Sequence, residues 1–274
     1  RGMKRACVIG WPVAHSRSPL IHGYWLQRYG IDGSYVRQPI EPADVADFLR
    51  TMREQGFAGC NVTVPHKEAA FAAAAETRPA ARTAGVANTL WFEGDRLIAD
   101  NTDSMGFMNG LQAALPALQL SGATVSVLGA GGAARGIVFA LLDGGAGEIR
   151  VFNRTRERAD ALSAYFGSKV QAHDWRERVD RSRDAALLVN TTSLGMKGAG
   201  ALDMDVSALD AKCAVADIVY VPLETPLLAA ARARGLATVD GLGMLLHQAV
   251  PGFEKWFGVR PEVTPELRAL IEND

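Results

Sequence analysis

Between the strand-like run Thr124-Val-Ser-Val-Leu128 and a helix-like run reaching Leu142 stands Gly129-Ala-Gly131-Gly132-Ala-Ala134, a match to G-x-G-x-x-[G/A]. Few features constrain a chain more. The first glycine allows a tight turn, the second lets backbone approach a pyrophosphate, and the N-terminus of the following helix faces the ligand's charge. The run EIRVFN follows as the next strand. A Rossmann-like dinucleotide-binding unit is therefore predicted, with Gly129, Ala130, Gly131, Gly132 and Ala133 along the phosphates. The plainer reading, a glycine turn that serves only helix-to-sheet packing, is weakened by the strand, turn, helix and strand standing in order.

The end of that next strand selects the cofactor. An NAD site normally carries Asp or Glu there for the ribose 2′-hydroxyl, whereas this chain has Asn153-Arg154-Thr155. With no carboxylate to repel it, a 2′-phosphate would meet Arg154 and Arg158 through charge-assisted bonds, with Asn153 and Thr155 as neutral donors. NADP(H) is the predicted cofactor. Arg156 reads as a solvated helix start.

The remainder of the 274 residues is long enough for a second domain. Hydrophobic residues at 48%, charged residues at 22% and a net charge of -1 indicate a globular protein without the basic surface that nucleic acid or an anionic membrane demands. The partner is expected to be a small molecule, and the chain a monomer or homodimer. Cys7, Cys60 and Cys213 form no CxxC pair and read as reduced core residues. The five histidines form no metal-ligand spacing, so no metal is expected. With no leader pattern and no apolar run of about 20 residues, a cytoplasmic, stand-alone enzyme is expected. Arg1 and Gly2 are set aside as a remnant ahead of Met3.

Before the glycine turn, strands at 5–10, 34–39 and 59–64 alternate with helices at 19–29, 42–55 and 66–76, and further strands surround Thr89 and Leu97. This is the grammar of a mostly parallel sheet. A helix at 105–115, ended by Pro116, bridges to the second unit. Strands at 186–190 and 213–218 and a helix at 226–234 follow, and then an amphipathic helix at 244–256 that returns to the first domain. The fold class is thus α/β with two α/β domains: a substrate-binding and catalytic domain at 3–103, completed by about 244–274; an interdomain helix at 104–118; and a Rossmann-like NADP-binding domain at 119–243.

Polar residues cluster where such sheets bind ligands. Ser18 before Pro19 suits a helix N-cap, while Ser16 lies outside the cap; two hydroxyls beside a helix N-terminus also suit a carboxylate. Gly59-Cys-Asn61-Val-Thr63-Val-Pro65-His-Lys67 delivers Asn61, Thr63 and Lys67 near a strand's C-terminal end. Asn88 follows in VANTL, and Asp103 in DNTD just before the bridging helix. A Lys and an Asp brought together there would hold each other charged. Each alone is also compatible with a surface charge.

These segments together resemble the shikimate dehydrogenase family along nearly the whole chain: VIGWPVAHSRSP, GCNVTVPHK, VANTL, DNTDSMGF, GAGGAARG, FNRT, NTTSLGM, DIVYVPLETPLL and GLGMLLHQAVPGFEKWFG. The resemblance implies NADPH-dependent reversible reduction of 3-dehydroshikimate to shikimate, in the biosynthesis of chorismate and the aromatic amino acids. By position, Ser16, Ser18 and Tyr220 inherit the carboxylate side, and Asn61, Thr63, Asn88 and Gln248 the ring hydroxyls. Lys67 and Asp103 inherit the catalytic pair, and Asn190, Thr191, Gly241 and Met244 the nicotinamide end. Gly23 stands where the family often has Asn, and Ser104 where Gly is frequent; both bear on loop geometry and affinity rather than on reaction type. An NAD-using quinate/shikimate dehydrogenase shares most of these motifs, and a nucleotide-sensing homologue without catalysis would lack Lys67 and Asp103.

Overall fold

Residues 3–274 are described by a computed structural model; Arg1 and Gly2, set aside above, lie outside the described residues. The chain divides into two units, one running to Thr102 and resuming at Leu246, the other Asp103–Leu245.

The first unit begins with β1 (Lys4–Gly10), α1 (Ser18–Arg28), β2 (Gly33–Pro39), α2 (Val45–Thr51) and β3 (Phe57–Val62). It continues with α3 (Lys67–Ala73), β4 (Glu76–Thr77), α4 (Pro79–Ala84), β5 (Thr89–Glu93) and β6 (Arg96–Asp100). The sheet order is β2-β1-β3-β5-β6-β4. β1 runs parallel to β2 and β3, and β4 parallel to β6, while β5 is antiparallel to both neighbours. Residues 6–10 are buried on both faces, as a central parallel strand requires.

Two helices are shorter than their sequence suggests, for local reasons. Ahead of α2 the chain closes a tight turn, Asp44 N to Glu41 O, before regular winding starts. After α3, Ala74 turns extended, and Ala75 donates to Leu97 O so that β4 can join the sheet edge. Sheet pairing overrides the helix propensity of the alanine run.

The second unit contains α5 (Asp103–Ala114), β7 (Thr124–Leu128), α6 (Gly132–Asp143), β8 (Glu148–Asn153), α7 (Arg156–Phe166) and β9 (Val170–Asp174). Then come β10 (Leu187–Asn190), β11 (Ala214–Asp217), α8 (Pro226–Ala233) and β12 (Thr238–Val239). Its six strands are all parallel, in the order β12-β11-β10-β7-β8-β9. This is the doubly wound order, with its switch point between β7 and β10. The division between units falls inside α9 (Leu242–Phe257), and α10 (Pro265–Glu272) closes the chain. No helix of the described residues is long and apolar enough to cross a membrane.

On one face of the first sheet Cys7, Ile9, Cys60, Val62 and Leu90 pack with Phe48 and Leu49 of α2 and with Met52 just beyond it. All three cysteines are free and buried. The C-terminal half of α9 seals the sheet with Trp256, whose Nε1 donates to Leu90 O at 2.9 Å. That indole lies where a Cβ on residue 59 would project, so Gly59 is required by close approach.

His22 is fully buried beside Trp256, Phe253 and Trp25, and its ring stacks on Tyr35 at 4.0 Å between centroids. Neither ring nitrogen has a hydrogen-bond partner. Burial pushes its pKa down to about 3, with the Asn61 side chain opposing as the smaller effect. Below the unfolded value of 6.5 the unfolded chain takes up a proton that the folded chain refuses, so this contribution to stability is complete above that pH and is lost as pH falls toward 3. Between pH 7 and pH 5 the loss from His22 amounts to about 2 kcal/mol, at about 1.4 kcal/mol per pKa unit. Urea unfolding of the parent and of His22→Phe at both pH values checks this. The variant should lose about 2 kcal/mol less, and equal losses would show that His22 protonates freely in the fold.

Candidate active site

After β1 the chain reaches Ser16 and Ser18. The N-cap of α1 is Arg17, not Ser18, and no side chain caps the helix. The expected Ser18 cap is thereby corrected. Pro19 has no N–H and a fixed φ, and winding starts one residue early, with Leu20 and Ile21 both donating to Arg17 O. Ser16 Oγ instead accepts the Ser18 N–H at 3.3 Å, and Arg37 grips Ser16 O at 2.7 Å.

A connected polar network underlies the asparagines. Tyr35 donates to Asn61 Oδ1 at 2.6 Å, and burial raises the pKa of this phenol. Asn61 Nδ2 donates to Asn88 O at 3.3 Å and Thr89 Oγ1 at 3.2 Å. Thr89 Oγ1 donates to Asn88 Oδ1 at 3.0 Å, and the same oxygen accepts the Thr102 N–H at 2.8 Å. Asn88 Nδ2 donates to Thr102 Oγ1 at 3.1 Å, and Thr102 Oγ1 donates to Gln248 O at 2.8 Å. Every proton in the chain of bonds has an assigned direction.

The network joins Tyr35, Asn61, Asn88 and the backbone of Gln248, and Ser18 lies outside it with its N–H on Ser16 Oγ. Lys67 opens α3, and its carbonyl accepts the N–H of Ala87 at 3.0 Å, one residue before Asn88. Thr63 stands apart in its loop, half-buried, with its N–H on Ile9 O. Asp103 follows Thr102 directly and opens α5. Sequence reasoning missed Tyr35, Thr89 and Thr102. The threonines were legible as polar neighbours of Asn88 and Asp103; Tyr35 had no signal beyond a strand tyrosine.

In the second unit the glycine turn lies at the switch point, where β7 and β10 end side by side. Gly129 has φ +103°, and a Cβ there would stand 2.6 Å from Thr191 Oγ1, so glycine is needed for both conformation and space. A Cβ at Gly131 or Gly132 would meet nothing, which leaves the N-terminus of α6 open. Thr191 Oγ1 donates to Leu128 O at 2.7 Å. Asn190 is fully buried; its Nδ2 donates to Leu194 O and Asp217 Oδ1, and its Oδ1 accepts from Thr192.

Asp217, which sequence reasoning also missed, accepts from Asn190, Val219 N and Thr225 Oγ1. Burial pushes its pKa up while these bonds pull it down. Its bonds fix both ends of the 217–225 loop that carries half-buried Tyr220. Gly241 approaches the Ile218 and Val219 carbonyls too closely for a Cβ, and Met244 packs partly buried against the core of this unit. The Ser104 hydroxyl is buried without a hydrogen-bond partner, 3.0 Å from where a Cβ on Gly136 would lie, so α5 meets α6 there through small residues.

At the end of β8, Asn153 Nδ2 donates to Thr155 O at 2.9 Å and shapes the turn itself. Arg156 pairs with Asp160 and Asp174, Arg176 with Asp174, Arg178 with Asp203, and Arg181 with Glu177. Among the described residues Arg154 and Arg158 are exposed and have no carboxylate partner. Room above the α6 N-terminus and two uncompensated guanidiniums are what a dinucleotide with an added phosphate requires.

Three family models match the chain: shikimate dehydrogenase substrate binding domain over residues 8–90, shikimate / quinate 5-dehydrogenase over 112–196, and shikimate 5'-dehydrogenase C-terminal domain over 241–270. A relative from Azorhizobium caulinodans named shikimate dehydrogenase (NADP(+)) is 53% identical over 272 residues, which is 99% of this chain and 97% of the relative. The crystal structure of shikimate 5-dehydrogenase from Thermus thermophilus, in complex with NADP(H) and shikimate, superposes with a TM-score of 0.85 at 37% identity, covering 99% of this chain and 98% of that one. Quinate dehydrogenase from Corynebacterium glutamicum, in complex with NAD, gives a TM-score of 0.90 at 31% identity with 99% of each chain covered. On this identity, held from end to end, the chain belongs to the shikimate dehydrogenase family.

Proposed function

We propose that this protein is a cytoplasmic NADP-dependent shikimate dehydrogenase, which reversibly reduces 3-dehydroshikimate to shikimate on the route to chorismate and the aromatic amino acids. The first unit with the C-terminal segment is the substrate-binding and catalytic domain, and the second binds NADP. The observation that carries the reading is the pair Arg154 and Arg158, which lack carboxylate partners where a 2′-phosphate would lie. The quinate dehydrogenase neighbour is the specific reason to keep quinate with NAD as the second reading.

When bound, NADPH supplies the hydride. The residues suited to hold it are Gly129 to Ala133 at the phosphates, Arg154, Arg158 and Thr155 at the adenosine end, and Thr191, Gly241 and Met244 at the nicotinamide. Asn153 and Asn190 act there by shaping their loops. Ser16, Ser18 and Tyr220 hold the substrate carboxylate. Asn61, Thr63, Asn88 and Gln248 orient the ring hydroxyls, the two asparagines with amide directions already set by the network. Lys67 gives a proton to the oxygen on C3 as it gains charge, and takes one back in the reverse direction, with Asp103 as the second catalytic group.

Initial rates with shikimate and quinate, each against NADP⁺ and NAD⁺, test the assignment. Shikimate with NADP⁺ should be fastest, and a preference for quinate with NAD⁺ would overturn it. Lys67→Ala should lower kcat by roughly 10² to 10⁴, the usual contribution of a positioned acid or base. Asp103→Asn should be comparably damaging, and the double variant no worse than the poorer single one, since groups acting as a unit are not additive. A raised KM with kcat kept within a few-fold would reduce Lys67 to an anchor. Ser16→Ala with Ser18→Ala should raise KM for shikimate more than it lowers kcat, because those contacts persist from ground state to transition state. An unchanged KM would remove both serines from the site.

A further inference from the structure

The register of β8 and β9 sets two residues side by side. Asn153 pairs with Asp174, so the first residue beyond each strand, Arg154 and Trp175, leaves the sheet edge at the same level. The Arg154 guanidinium carbon stands 5.9 Å from the centroid of the Trp175 ring, within cation–π range. The indole is held firmly. The turn Trp175–Glu177 is closed by a capping box in which the Asp174 N–H donates to Glu177 Oε2 at 3.0 Å. The ring rests against the apolar cluster that contains Leu128, Phe152 and Leu188. Arg178 stands 4.7 Å from the same ring, donates to Trp175 O at 2.9 Å, and is locked by two bonds to Asp203 O at 2.6 and 2.8 Å.

The charges around Arg154 give it no other hold. Asp174 is engaged by Arg156 at 3.5 Å and Arg176 at 3.6 Å, and Glu177 by Arg181 at 2.8 Å. An exposed arginine without a carboxylate samples many rotamers and must lose that freedom to grip a ligand. An aromatic surface fixed beside it removes part of that loss without neutralising the charge, which a carboxylate would do.

We infer that Trp175 is a specificity-determining positioning residue: it preorganises Arg154 for the 2′-phosphate and so widens the preference for NADP over NAD. This rests on the assignment of Arg154 to that phosphate, and the experiment separates the two. KM for NADP⁺, NAD⁺ and shikimate is measured for the parent, Trp175→Leu, Trp175→Phe, Arg154→Ala and Arg154→Ala with Trp175→Leu, with thermal melts to register folding. Leucine keeps apolar packing but removes the ring face; phenylalanine keeps a face.

Trp175→Leu should raise KM for NADP⁺ about two- to fivefold, the worth of an exposed cation–π contact, with the NAD⁺ and shikimate values unchanged. Trp175→Phe should restore most of it. In the Arg154→Ala background the Trp175 substitution should have no further effect. If Arg154→Ala leaves the NADP⁺ to NAD⁺ ratio intact, the phosphate assignment itself is wrong and the inference falls with it. If Arg154→Ala raises that ratio of KM values but Trp175→Leu shifts both cofactors alike, or shifts NADP⁺ equally with and without Arg154, Trp175 serves only the fold and the inference alone is overturned.

Discussion

The carboxamide of Asn88 can take only one orientation, because its Oδ1 accepts a backbone N–H, that of Thr102, at 2.8 Å. A main-chain donor cannot exchange roles, so the direction of each neighbouring bond follows from it. Asn88 Nδ2 must donate to Thr102 Oγ1, which must then donate onward to Gln248 O. Thr89 donates to Asn88 and accepts from Asn61, and Asn61 Oδ1 is left to face the Tyr35 hydroxyl. Buried and satisfied networks of this kind are stiff, since any member that turned would leave a desolvated partner. The same linkage ties α9 to the segment that leads into Asp103, and places the start of α3, with Lys67, against the residue before Asn88.

The second unit obeys the same logic with different groups. Asn190 and Asp217 are buried at the ends of neighbouring strands β10 and β11, and bond each other at 3.1 Å. Each then reaches out to hold the loop that follows its own strand: Asn190 through Leu194 and Thr192, Asp217 through Val219 and Thr225. A buried carboxyl is costly unless its lone pairs are met, and here three donors meet them. Two buried side chains thereby set the loops that follow the two strands. Gly129 completes the arrangement from the β7 side, since any larger residue would displace Thr191.

Much of this was legible in the residues, and what was not has a common cause. The doubly wound unit followed from one glycine turn between a strand and a helix, because that geometry admits few alternatives. The strand at 5–10 followed from its β-rich run in an alternating strand and helix pattern. Short elements at sheet edges did not: β4, β9 and β12 gain their stability from a single neighbour and leave only a weak pattern. The antiparallel β5 and β6 were expected as strands, yet their direction is a property of pairing rather than of composition. Ser18 looked like a cap because Ser before Pro usually is one; here Arg17 occupies the cap position and no side chain caps the helix. Tyr35 was invisible as part of the site, since nothing in a strand tyrosine states that its hydroxyl will point at an asparagine on β3.

Net charge carries even less of the functional information than pattern does. A chain of formal charge -1 has no overall attraction for a polyanionic cofactor, so any such attraction must be local. Around the ends of β8 and β9 the locality is made by pairing. Asp160 and Asp174 are taken up by Arg156, Asp174 also by Arg176, Glu177 by Arg181 and Asp203 by Arg178. Exposed pairs of this kind add little to stability. Their effect is to neutralise the carboxylates nearest the strand ends and to leave Arg154 and Arg158 uncompensated. Which arginines are left out of the pairs can be read only once the turn at 153–155 and the capping box at 174–177 have fixed each side chain's neighbours.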